Sequence, residues 1–336
     1  MSTLELPVGL ATSVGPLPHT DPVAAARFVL SLQPRLPAVP SLPNRSLTER
    51  RITQAAWGVP GLRVLADGSL ETDPARLDVE VDLGVDCLSG EPFTSLRAFV
   101  AAIVDRRAPA KFQLTGPVSL GVALLAVGIP IGVAFRLARR VVTQRAAALV
   151  ELLNAEAPGV EPVVIVDEPS LGVCTDAAFP LQVDDAVDAV SGTLALLQAR
   201  GCLAGLRCGP GSDWAVVLAT GPQLLTLPAS DDVVDHAGLL GQFLDGGGRV
   251  IWGAVPTDGP VGTGVDRLWR NLAGLWCALV RAGIDPTQLR SQALLSPAAG
   301  LGRHHVSQAE LTLRMVDALA KRLYDQATGL RLSVGA

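Results

Sequence analysis

The feature that most constrains this chain is a recurring pair: a short, β-prone apolar run ending in a turn signal, then a segment with helical spacing. Ala11–Val14 ends in Gly15-Pro16, Gly61–Leu65 in Ala-Asp-Gly, and Phe112–Thr115 in Gly116-Pro117. Val163–Val166 ends in Asp167-Glu168-Pro169, Leu203–Leu206 in Arg207-Cys208-Gly209-Pro210, and Leu224–Leu227 in Pro228. Arg249–Val255 leads to Pro256, and Ala293–Leu295 to Ser296-Pro297. Most of these runs are continuously apolar rather than alternating, as parallel strands buried on both faces are. The turn after Gly61–Leu65 also reads as the opening of a hairpin toward Ser69-Leu70.

The segments between the runs carry helix signals. Asp184–Arg200 has apolar residues at helical spacing behind an Asp-rich first turn, and Gly201 stops it. Ser307–Tyr324 opens with Ser307 as N-cap and Glu310 three residues on, a capping box. Eight strand candidates alternating with helices over 336 residues predict a (β/α)8 TIM barrel of the α/β class, one domain spanning 1–336. A doubly wound open sheet shares the coarse pattern. The proline-rich stretch Gln33–Pro43 is too short for an interdomain spacer and predicts an ordered excursion over one barrel face.

Composition enters where function classes must be excluded. With 49% hydrophobic and 18% charged residues the chain can bury a sizeable core and is no disordered segment. A net charge of −5, with Lys111 and Lys321 as the only lysines, leaves no electrostatic footprint for nucleic acid. Phe112–Phe135 is uncharged and long enough to span a bilayer, with Arg136, Arg139 and Arg140 behind it. Gly116-Pro117 and Ile129-Pro130 instead divide it into a buried strand, a short apolar helix and a second helix, because proline suits a helix's first turn. The five cysteines lack a C-x-x-C pair, and Met-Ser-Thr-Leu-Glu-Leu-Pro lacks the basic and apolar regions of a signal peptide. The expectation is a cytoplasmic protein with free thiols. Trp214, Trp269 and Trp276 fall on helical segments and are expected in the core.

In a barrel, chemistry sits at the C-terminal strand ends. Those ends carry Ser13, Pro16 and His19; Thr115; Asp167 and Glu168; Arg207 and Cys208; Trp252, Thr257 and Asp258; and Ser296. Asp167-Glu168 is the sharpest signal, since a carboxylate at the lip of a buried strand must be paired, hydrogen-bonded or used on a ligand. Each also has a bland reading, as a helix cap or a salt bridge. Cys208 beside Arg207 reads as a thiolate favoured by a cation or as a buried structural cysteine. His19 reads as a mouth residue or a cap, and the adjacent His304 and His305 as surface residues. Gly246-Gly247-Gly248 precedes a strand and lacks the strand-to-helix context of a phosphate loop.

Taken in order, the strand ends resemble the catalytic C-terminal barrel of cobalamin-independent methionine synthase, in a superfamily shared with uroporphyrinogen decarboxylase. The segments that carry the resemblance are Ala11–Pro18, Leu114–Leu120, Val166–Leu171, Trp252–Thr257 and Ser296–Leu301; Val166-Asp167-Glu168-Pro169-Ser170-Leu171 is the nearest, to an I-D-E-P-A-L motif. The resemblance implies a zinc ion held by His, Cys, Glu and Cys that activates the homocysteine thiol for methyl transfer from methyltetrahydrofolate. Carried onto this sequence, those ligand positions are Leu206, Cys208, Pro228 and Ala299. Leucine, proline and alanine offer zinc no side-chain donor, so zinc is expected to be absent and no other cofactor is expected.

The implied amino-acid pocket comprises Ser13, Val14 and Gly15, with Pro16 where the family has serine, and Asp167 as the acceptor of a substrate ammonium, followed by Glu168. With Arg207 and Cys208 these form the expected binding set. Three readings follow. The barrel is a binding or partner-associated homologue with a degenerate zinc site, or a metal-free enzyme acting on an anionic small molecule. The third is an S-methyltransferase that recruits other ligands, such as His236 or His19 with Cys208. Expected partners are a small anionic or amino-acid ligand or a protein, with no nucleic acid and no membrane.

Overall fold

The computed structural model describes residues 6–84, 86–209, 211–259 and 264–334, the last five of these by their backbone alone. The chain runs β1 (Leu10–Ala11), α1 (Pro22–Leu32), α2 (Arg51–Ala56), β2 (Leu62–Val64), β3 (Leu70–Thr72), α3 (Thr94–Ala102) and β4 (Pro109–Thr115). It continues through α4 (Pro117–Ala126), α5 (Ile131–Glu156), β5 (Glu161–Asp167), α6 (Val183–Ala199), β6 (Leu203–Arg207), α7 (Trp214–Ala219) and β7 (Leu224–Pro228). It ends with α8 (Ala237–Asp245), β8 (Arg249–Val255), α9 (Val265–Arg281), α10 (Pro286–Ser291), β9 (Ala293–Pro297) and α11 (Val306–Val334).

Seven strands form one parallel sheet in the order β1-β9-β8-β7-β6-β5-β4. The ring is closed by the proline-rich stretch, which bridges to β4 at Ala38 and Lys111 and to the β1 side at Ser41 and Pro16. Val39 N–H donates to the Lys111 carbonyl at 2.8 Å, and Ser41 N–H to the Gly15 carbonyl at 3.1 Å. The excursion expected over a barrel face is therefore the eighth stave. Its prolines at 34, 37, 40 and 43 deny it a regular ladder, because each lacks an N–H. Gly61–Leu65, counted among the eight barrel strands, forms instead the hairpin that its turn also suggested toward Ser69-Leu70: β2–β3, paired Leu62 to Thr72 and Val64 to Leu70. Its polar, half-exposed pattern explains this: Arg63 pairs with Glu71 and neither face is fully apolar.

The continuous apolar runs bury both strand faces. Leu10, Val163, Ile165, Leu203, Leu224, Ile251 and Leu294 fill the barrel interior, with Leu36 below them. Val164, Val166, Leu206, Leu225, Trp252 and Leu295 face the helices, where Trp214, Trp269 and Trp276 are buried too. The uncharged stretch splits at its prolines into β4, α4 and α5, and among the described residues no helix is long and apolar enough to cross a membrane. The five cysteines are free. α6 lies within a residue of its expected bounds, but α11 begins at Val306, so Ser307 sits inside the first turn and is not the cap.

Two buried ionic groups hold the mouth side together. Arg145 of α5 reaches under the excursion of residues 47–90 and donates to the carbonyls of Ala55, Trp57 and Cys87, stacking on Phe93 at 5.0 Å. Glu168, just beyond β5, accepts from Val118 N–H at 2.9 Å and Ser119 N–H at 2.5 Å, capping the start of α4. A side chain on Gly116 would bring its Cβ to 1.9 Å from Glu168 Oε2. Gly116→Ala should therefore cost about 3 kcal/mol. The check is the urea midpoint at unchanged m-value, and a midpoint equal to wild type would break the account of this contact.

Candidate functional site

The C-terminal ends of the strands open into a cavity of about 770 Å³. Asp167 stands at its floor because β5 alternates: Val163 and Ile165 point into the barrel, so Asp167 does too. Its carboxylate is buried and held by two guanidinium groups. Arg51 Nη1 of α2 lies 2.5 Å from Oδ2, and Arg207 Nη1 at the end of β6 lies 3.3 Å from Oδ1. Thr115 Oγ1 donates to the Arg51 carbonyl at 2.8 Å and so ties α2 to the end of β4. Arg50, Arg303 and His304 also line the cavity. His304 is engaged at both ring nitrogens, by the Thr257 carbonyl at 3.0 Å and Gln308 Oε1 at 3.4 Å.

Lys111 lies one inward position below Gln113 on β4. Its ammonium is buried and donates to the Ser13 carbonyl at 2.5 Å. Burial, with Arg207 nearby, pulls its pKa down to about 7, while Asp167 pulls the other way. The layer under the mouth is thus cation-rich, with Asp167 as its counter-charge.

The expected site residues separate into groups. Asp167, Arg207 and Val14 line the cavity, as do Pro16 and Ala299. Arg207 turns its guanidinium toward Asp167 at the cavity. Ser13 is buried with its hydroxyl unpartnered and contributes its carbonyl to Lys111. Gly15, at φ +112°, takes a backbone conformation that residues with side chains rarely adopt, and the end of the Gln113 side chain lies where a Cβ would stand. Glu168 is turned away from the mouth onto α4. Burial pushes its carboxyl up to about 7, against the pull of the Ser119 and Val118 donors. It caps α4 and is not among the residues lining the cavity.

Cys208 borders a separate small cleft with Pro228, Thr226 and Trp214. Burial and the carboxylates of Glu168 and Asp167 push its thiol far above the ordinary range, outweighing Arg207, so it is no activated thiolate. His19 packs on Phe28, the rings tilted at 54° with centroids 4.5 Å apart, and is not among the residues lining the cavity. His304, expected on the surface, is half-buried at the mouth, whereas His305 is exposed.

The zinc implied by the resemblance does not fit the residues at its positions. Leu206, Cys208 and Pro228 border the same small cleft, and Ala299 lines the main cavity. Only Cys208 carries a donor, and one thiolate does not hold zinc. Among the described residues no three His, Cys, Asp or Glu side chains stand close enough to share a metal. His236 stacks on Trp214 at 5.1 Å.

Sequence reasoning missed Arg50, Arg51, Arg303 and Lys111. Lys111 carried a signal, being one of two lysines in the chain and the one set within an apolar strand. The arginines carried none, because they lie in loops and a short helix with no periodic pattern.

Comparison with known proteins agrees with the architecture. No protein-family model matches the chain, and no curated protein matches it by sequence. Among solved structures, the chain is similar to a Listeria monocytogenes protein provisionally assigned as a vitamin-B12-independent methionine synthase. The TM-score is 0.55 at 12% identity, covering 93% of this chain and 96% of that one. That likeness shows a shared barrel fold. A GH5_18 protein from Bifidobacterium longum subsp. infantis (TM-score 0.46, 10% identity, 93% and 79% covered) is more remote. So is D-psicose 3-epimerase from Clostridium cellulolyticum H10 (TM-score 0.41, 11% identity, 95% and 98% covered). Neither bears on function.

The Lys111 environment has a pH signature. Its pKa is about 7 when folded against the ordinary 10.5, so between those values the unfolded chain binds more protons. Its contribution to stability therefore rises with pH across that window and is lost as pH falls through about 7. The stability of Lys111→Met relative to wild type should narrow steadily from neutral to alkaline pH in urea titrations. A pH-independent difference would contradict the buried, proton-shedding lysine.

Proposed function

We propose that the chain binds a small organic anion at the barrel mouth, without zinc-dependent methyl transfer through positions 206, 208, 228 and 299. The observation that carries this reading is the pairing of one buried carboxylate, Asp167, with two guanidinium groups. One negative charge against two positive leaves a net cation at Asp167, and of the other charged groups lining the cavity Arg50 and Arg303 stand against Asp258 and Glu49, the latter paired with Arg45. Each Asp167 oxygen already meets a guanidinium, so a substrate ammonium would have to approach beside two cations. A carboxylate or phosphate instead finds the remaining N–H groups of the Arg51 and Arg207 forks, each fixed in direction by its bond to Asp167. The cavity volume lies in the range of small-molecule sites.

Binding is the role these groups support most directly, because Asp167 serves as an ion-pair acceptor between two arginines. The likeness to a methionine-synthase-type barrel supplies the scaffold, and function belongs to the altered site.

In thermal-shift titrations, carboxylates and inorganic phosphate should raise Tm, and Arg207→Ala should abolish the rise. Zwitterionic amino acids should shift it little. Stabilisation by amino acids alone would reverse the assignment. Protein purified without chelator or metal-affinity resin should carry zinc well below one equivalent. A full equivalent that disappears in Cys208→Ala would restore a metal-dependent reading.

A further inference from the structure

Lys111 is a cation that anion binding at the mouth leaves without a role. It is 4% exposed, faces the barrel interior from β4, and is not among the residues lining the cavity. Asp167 pairs in register with Thr115, two inward positions above it, and Arg207 pairs with Asp167. The ammonium has three N–H groups and, among the described residues, one hydrogen-bond acceptor, the Ser13 carbonyl.

The surrounding elements bring little charge to this layer. Ala38 is the stave's bridge partner to Lys111, and Ile165 faces the interior from β5. By alternation from the interior leucines and Ile251, the inward positions toward the mouth are Thr12 after β1, Gly205 on β6, Thr226 on β7, Gly253 on β8 and Ser296 on β9. All are uncharged. The charged groups that act on Lys111 are Arg207, which repels it, and Asp167, which attracts it. That carboxylate is already shared between two guanidinium groups. Burial and the repulsion bring the Lys111 pKa down to about 7, so near neutrality the ammonium is poised to lose its proton.

An anion on the Arg51 and Arg207 forks changes this balance. It offsets the charge of Arg207 and sets a second negative group above Lys111, which favours the ammonium over the neutral amine. We propose that the anion bound at Arg51 and Arg207 draws a proton from solvent onto Lys111, so that the mouth takes up its ligand and a proton together. This rests on the anion reading above and adds how that site is regulated. Linkage is reciprocal: the anion binds most tightly where Lys111 is already protonated. Affinity therefore falls as pH rises from neutral, by about fivefold or more, and levels off once Lys111 is neutral with and without ligand.

The test reads Lys111 directly. Lys111 and Lys321 are the only lysines and Lys321 is exposed on α11, so protein labelled with ¹³C at lysine Cε gives two NMR signals, and Lys321→Arg assigns them. In sodium chloride the Lys111 signal should titrate near neutral pH. Acetate or sulfate at equal ionic strength, neither of which titrates in this range, should move its midpoint upward by about 0.7 on the pH scale or more, the same fivefold read from the proton's side. A midpoint unmoved by an anion that does raise Tm would overturn the linkage and spare the anion site. A Lys111 signal that stays protonated to strongly alkaline pH in every salt would overturn it as well. No rise in Tm with acetate, sulfate or inorganic phosphate would remove the anion reading and this one together.

Discussion

Glu168 meets the first N–H groups of α4 in a space with no solvent, and the mouth of the barrel is arranged around that contact. A carboxylate buried without such donors would be strongly unfavourable. Here the helix start supplies two, along with the positive end of its dipole. The contact reaches further than its own bonds. Adjacent residues leaving a strand point to opposite sides, so fixing Glu168 outward onto α4 turns Asp167 inward, where Arg51 and Arg207 grip it. The structural acid thereby orients the acid of the site. Gly116 belongs to the same device, since any side chain there would occupy the carboxylate's place.

This explains why much of the fold was readable from residues. Thr115-Gly116-Pro117-Val118-Ser119 and Asp167-Glu168-Pro169 are two halves of one contact, joined again by Ser170 N–H to Ser119 Oγ at 3.0 Å. Pro16 and Gly300 form a second pair: a Cβ on Gly300 would fall 2.8 Å from the proline ring. Gly253 and the Ala298 backbone form a third at the same separation. Segments that resemble a family are thus the places where the top of the barrel closes. They report packing geometry, which an unrelated-looking chain at 12% identity can share. They do not report what the mouth holds.

The rest was illegible for identifiable physical reasons. Gly61–Leu65 matches a barrel strand in local composition, and although its turn pointed to a hairpin, only the pairing with Leu70, Glu71 and Thr72 removes it from the barrel. The stave at residues 37–41 hides because prolines erase strand periodicity, although its backbone still bridges two neighbours. Arg51 reaches Asp167 from 116 positions earlier in the chain. No spacing rule connects them; the barrel's closure does. His304 looked like half of a solvent-facing pair, yet the backbone carbonyl of Thr257 draws it into the mouth and leaves His305 outside.

The proline-bearing stave also gives the ring a mechanical polarity. Seven of its staves are joined by regular parallel ladders, whereas the eighth is held by a few bonds near Lys111 and Ser41. Segments with few backbone bonds open at lower free energy than the ladders around them. The barrel can therefore yield at one hinge line without loosening the sheet that positions Asp167 and Arg207. A cylinder that elsewhere resists deformation has, in effect, a zip.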